Sequence, residues 1–116
     1  MTIERKHTGQ RMSQVVVHGD TVYLAGQVAE EAPGQGAGAQ MRDILARIEQ
    51  RLSDAGTDKT KILSATIWLA DIRDYDAINE VWDAWVPKGH APARACVEAK
   101  LAAVKFTVEV GIVAAR

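Results

Sequence analysis

Several things are scarce in this chain, and each shortage closes off a class of function. Cys96 is the lone cysteine, so no intrachain disulfide can form and no oxidising compartment is implied. No apolar run approaches the roughly 18 residues that a membrane-spanning helix needs. The first residues, Met1-Thr2-Ile3-Glu4-Arg5-Lys6, lack the apolar core of a signal peptide, which makes the cytosol the default expectation. A net charge of −1 leaves no electrostatic footprint for nucleic acid or an anionic membrane, so neither is expected as a partner. His7, His18 and His90 are scattered without metal-ligand spacing, and no metal site is expected.

What remains is an ordinary globular composition, 47% hydrophobic and 25% charged, over 116 residues. That length fits a single domain over residues 1–116, with one core and little more. Ser13 to His18 and Thr21 to Ala25 are short β-rich runs separated by Gly19-Asp20, the chemistry of a hairpin turn. Ala32 to Ala39 reads as a Pro/Gly-rich loop. Its Gly34-x-Gly36-x-Gly38 order lacks the Lys-Ser/Thr ending and the spacing of a phosphate-binding loop, so a flexible connection is expected.

From Gln40 to Ala55 the pattern turns helical. Met41, Ile44, Leu45, Ile48 and Leu52 share one face, and Gly56 supplies the stop. Ile62 to Leu69 is a β-branched apolar run and predicts a covered strand. A second helix starts near Asp71 or Asp74 and lasts to about Val86, with Tyr75, Ile78, Trp82 and Trp85 as its apolar stripe. Two strands close the chain, one entered at Pro92-Ala93-Arg94-Ala95-Cys96-Val97-Glu98 and one running from Phe106 to Ala114. The order ββαβαββ predicts an α+β domain, one mixed sheet with both helices on one face. Two helices cannot hide both faces of such apolar strands, so self-association is expected.

The two closing strands carry the candidate chemistry. Arg94 offers a planar fork that matches a carboxylate's two oxygens. It could equally pair with Glu98 along its own strand. Glu109 sits between Val108 and Val110, and with Thr107 and Gly111 it shares a face that is not greasy and can line a cleft. Cys96, alone, reads as a small hydrophobe rather than a nucleophile, because no His or Asp stands at recognisable spacing.

Taken together these features resemble the YjgF/RidA family of enamine/imine deaminases. Pro92-x-Arg94, Leu101, and a strand glutamate fifteen residues after the arginine carry the resemblance. So do Gly26-Gln27, Ile67-Trp68-Leu69-Ala70-Asp71 and Asp74-Tyr75-Asp76-Ala77-Ile78-Asn79. Val81-Trp82-Asp83-Ala84-Trp85-Val86, followed by Gly89-His90-Ala91-Pro92, is similar to the YoaB-like branch. The resemblance implies a chorismate-mutase-like fold and a homotrimer with clefts between subunits. It implies hydrolysis of 2-imino acids or their enamine tautomers, such as 2-aminoacrylate, to 2-keto acids and ammonia. In it Arg94 grips the carboxylate, main-chain groups near Cys96 and the Asn79 amide line the cleft, and Glu109 activates the attacking water. Positioning does most of that work, so no cofactor is expected. Two departures stand out: Met12 falls where relatives often carry a tyrosine, and Ala25 where many carry Ser or Thr. Those lost hydroxyls leave open a second reading, a non-catalytic module or chaperone-like trimer that binds small carboxylates in the same cleft.

Overall fold

The computed structural model describes residues 1–116. Six strands form one sheet: β1 (Ile3–Thr8), β2 (Ser13–His18), β3 (Thr21–Val28), β4 (Ile62–Leu69), β5 (Ala93–Glu98) and β6 (Val108–Ala115). Two helices, α1 (Ala37–Asp54) and α2 (Tyr75–Trp85), complete the domain. The sheet order is β1-β2-β3-β6-β4-β5, with every pair antiparallel except β4 and β5. That parallel pair follows from its connection, since α2 must cross over between the two strands.

The hairpin forms as its turn residues dictate. His18 pairs with Thr21, and Gly19 takes the left-handed conformation (φ +61°) that a two-residue turn requires. Strand β4 has the bounds read from its apolar run. Helix α1 begins earlier than the periodicity suggests, at Ala37, because Gly36 takes an extended cap conformation without any side-chain cap to mark it. Its five predicted face residues are all buried against the sheet.

One strand was not legible in advance. β1 adds a first strand to the expected order, giving βββαβαββ, and all six of its residues are exposed. An edge strand bearing Glu4, Arg5 and Lys6 has no apolar alternation to betray it; such charges discourage pairing with another chain. β6 starts at Val108 rather than Phe106, and the chain from Ala99 to Thr107 forms a loop over the sheet end.

Both helices lie on one face, as expected. Val15, Val17, Val22, Leu24, Ala65, Ile67, Leu69, Val110 and Ile112 point into the layer beneath them. The other face carries no cover within the protomer. Tyr23, Leu63 and Val97 are exposed on or beside it.

A candidate site in two halves

The first half stands at the β5 edge. Arg94 pairs in register with Ala65 and Cys96 with Ile67, so both side chains share the helix face. There α2 presents Tyr75 and Asn79, four residues apart and therefore neighbours on one helical surface. Arg94 Nη1 donates to Asn79 Oδ1 at 2.8 Å, and Nη2 donates to the Tyr75 hydroxyl oxygen at 3.2 Å. The guanidinium carbon lies 5.3 Å from the Trp82 ring centroid and 5.8 Å from that of Tyr75. Stacking and two hydrogen bonds thus hold the fork in one plane, while its other N–H groups stay free for an anion. The Arg94–Glu98 pair does not form. Glu98 instead accepts from the Ile72 amide at 3.0 Å.

Tyr75 was read as part of the apolar stripe, and it is 41% exposed. Its hydroxyl gives it a different task, and the Tyr75/Asn79 spacing facing an arginine was the available signal. Ile78 and Trp82 are buried as predicted, and Trp85 is partly buried against the core. Burial pushes the Cys96 thiol up, with Arg94 opposing only partly. The protonated thiol therefore dominates at neutral pH, which suits lining better than attack.

The second half lies two strands away. Glu109 pairs with Trp68 on β4 and Val28 on β3, and occupies the face opposite Arg94. Its carboxylate leans toward β3, away from β5. What makes this possible is a bulge: Leu24 pairs with Ile112 and Gln27 with Val110, so Ala25 and Gly26 together oppose Gly111. A Cβ at Gly26 would overlap Glu109 Oε2 and stand 3.0 Å from Cδ. Gly111 is constrained likewise, because the Trp68 ring lies 3.1 Å from where its Cβ would be. A glycine inside a strand pattern was the sequence signal for such a close approach.

Glu109 opens onto a cleft of about 280 Å³, shared with Met12, Gln14, Gln27, Arg47 and Phe106. A second hollow of about 250 Å³ reaches it from the side of Trp68 and Leu101. Met12 is 54% exposed at the first cleft, an apolar wall where a hydroxyl was missed. A roomier surface hollow, about 550 Å³ between Asp71, Arg73, Glu98 and Lys100, contains none of the predicted site residues. There Arg73 donates to both Asp71 oxygens and holds that carboxyl at about 2.

Arg94, Asn79 and Cys96 are therefore brought together, and Glu109 is not among them. At roughly 4.8 Å per strand, β5 and β6 stand about 9.6 Å apart, with their functional groups on opposite faces. Within one protomer the Arg94 guanidinium and the Glu109 carboxylate cannot meet on a small molecule.

Residues 2–116 match the family described as Endoribonuclease L-PSP. The chain belongs to this family, the YjgF/RidA proteins. Among YjgF/RidA relatives it is 46% identical over 115 residues to the RutC family protein YoaB of Escherichia coli K12, covering 99% of each chain. The crystal structure of NMB1025, a YjgF family member from Neisseria meningitidis, superposes with a TM-score of 0.96 at 43% identity, over 100% of this chain and 96% of that one. The 2-iminobutanoate/2-iminopropanoate deaminase of Capra hircus is 35% identical over 91 residues, 74% of this chain and 66% of that protein. Membership of the YjgF/RidA family accounts for the fold; the RutC family proteins at 39–46% identity carry only that family name.

Gly26→Ala is expected to act on the site and spare the fold. The bulge backbone has a negative φ that alanine adopts freely, so the added methyl must displace the Glu109 carboxylate. The carboxylate should move by about 1 Å or more in a crystal structure of the variant, with the circular dichroism spectrum and Tm nearly unchanged; an unmoved carboxylate would contradict the close approach.

Proposed function

We propose that this protein hydrolyses small 2-imino acids and their enamine tautomers to 2-keto acids and ammonia, in sites shared between the subunits of a homotrimer. The observation that carries the reading is the pair of complementary halves on opposite sheet faces. One is a braced guanidinium with free N–H groups. The other is a carboxylate seated over a glycine in an open cleft. A second copy packed on the uncovered face, with its β5 edge toward the Glu109 cleft, joins them. The deaminase name borne by the mammalian relatives supports the same chemistry.

In that assembly Arg94 takes the substrate carboxylate bidentately, and Asn79 acts chiefly by holding Arg94, its Oδ1 being already occupied. Main-chain groups at Cys96 complete the anion pocket. Glu109, on the neighbouring copy, accepts the proton of the water that attacks the C=N carbon. Met12 gives the Glu109 cleft an apolar wall, while Arg94 and Glu109 themselves are present in both halves.

The test couples the purified protein to a threonine dehydratase in the presence of semicarbazide, which competes for the released imine. Adding the protein should lower semicarbazone formation and speed keto-acid release, and light scattering should give three times 12.6 kDa. Tight 2-oxobutyrate binding without any acceleration would instead identify a carboxylate-binding module, the reading that the missing hydroxyls at Met12 and Ala25 favour.

A further inference from the structure

Gln27 is one of only two buried polar residues, 2% exposed, and neither the anion grip nor Glu109 explains it. Its Nε2 donates to the Ala25 carbonyl at 2.9 Å and to Gln14 Oε1 at 2.9 Å. The direction of this chain is fixed by its first link. A backbone carbonyl can only accept, so Gln27 must turn its amide nitrogen toward Ala25. Its second N–H then faces Gln14, which must answer with its oxygen. Gln14 is left with its own NH₂ turned away, without a protein partner. That NH₂ belongs to a residue lining the Glu109 cleft.

Gln14 and Glu109 make no direct hydrogen bond, although both line the same cleft. β2, which carries Gln14, is the neighbour of β3, and the Glu109 carboxylate already overlies Gly26 of β3. A directed donor and a directed acceptor that line one open cleft without a direct bond have the polarity to share a bridging water. We infer that Gln14 is the second arm on the nucleophilic water, and that Gln27 is a positioning residue that keeps the arm pointing the right way. This rests on the deaminase reading above and adds two residues to it.

The arrangement assigns three of the water's four positions and leaves its second O–H to solvent. One lone pair accepts from Gln14 Nε2, one O–H donates to Glu109, and the other lone pair is aimed at the iminium carbon. As the C–O bond forms, the C=N π pair withdraws onto nitrogen and the water's proton passes to Glu109. Glu109 then protonates that nitrogen and takes up the hydroxyl proton. The C–N bond breaks as C=O forms, ammonia leaves, and the last proton goes to solvent. Gln14 stays hydrogen-bonded to the same oxygen throughout. The bulge at Ala25-Gly26 thus serves twice, giving room to Glu109 and a carbonyl that orients Gln27.

The experiment is a double-mutant cycle between Gln14→Leu and Glu109→Gln in the trapped-imine assay, with Gln27→Met alongside. Gln14→Leu should lower kcat by ten- to a hundredfold, with 2-oxobutyrate affinity within twofold of the parent because Arg94 holds the anion. The double variant should be no slower than Glu109→Gln alone, since both groups act on one water. Gln27→Met should lower kcat less than Gln14→Leu and leave the product affinity alone. A Gln14→Leu variant with full kcat, beside an inactive Glu109→Gln, would overturn this inference and leave the deaminase reading standing. Strictly multiplicative losses in the double variant would overturn it too, marking Gln14 as structural. Full turnover by Glu109→Gln would remove the reading itself.

Discussion

Glu109→Gln should lower imine hydrolysis by roughly 10² to 10⁴, the usual contribution of a general acid–base group. The amide is nearly isosteric with the carboxylate, can still lie over Gly26, and can still hydrogen-bond a water. It cannot accept that water's proton. Affinity for pyruvate or 2-oxobutyrate should hold, because the anion is gripped elsewhere, and Tm should change little. Uncatalysed imine hydrolysis is fast, so the rate must be read in competition with semicarbazide. Equal and substantial acceleration by parent and variant would strip Glu109 of its role.

Arg94→Lys carries the second large effect, on binding rather than on rate. Lysine keeps the charge and loses the fork. It cannot bond Asn79 and Tyr75 while also meeting two carboxylate oxygens in one plane. Losing a hydrogen bond to a charged group costs about 1.5–3 kcal/mol, or about ten- to a hundredfold in affinity. Isothermal titration with 2-oxobutyrate reads this directly. If the variant binds as tightly as the parent while its Tm falls, Arg94 is only a brace for α2 against β5.

Most of the fold was legible because its signals are periodic. α1 and β4 bury the residues that 3.6- and two-residue spacing select, and the Gly19-Asp20 turn closes the hairpin it advertises. β1 escaped for the opposite reason, since an exposed, charged edge strand has no buried face and hence no pattern. For the candidate site, residue types could be proposed from the sequence but their placement could not. Arg94 and Glu109 could be named from their spacing and the family resemblance. Their opposite faces depend on strand order, β6 lying between β3 and β4, which no local window encodes. The bulge at Gly26 is a register event of the same kind. Tyr75 was misread because a tyrosine on an apolar stripe looks like core until its hydroxyl meets a strand arginine nineteen residues on.

Arg94 of one copy is proposed to work with Glu109 of another, and mixing two impaired variants tests this most directly. Arg94→Lys and Glu109→Gln proteins, each purified alone, are co-refolded in equal amounts and assayed for trapped imine hydrolysis at imine concentrations well below KM, where the binding loss in Arg94→Lys lowers the rate as fully as it lowers affinity. In a randomly mixed cyclic oligomer about a quarter of the shared sites receive an intact Arg94 from one subunit and an intact Glu109 from the next. Activity should therefore return to roughly a quarter of the parent's. Mixtures no faster than the average of their two components would contradict a site built between subunits.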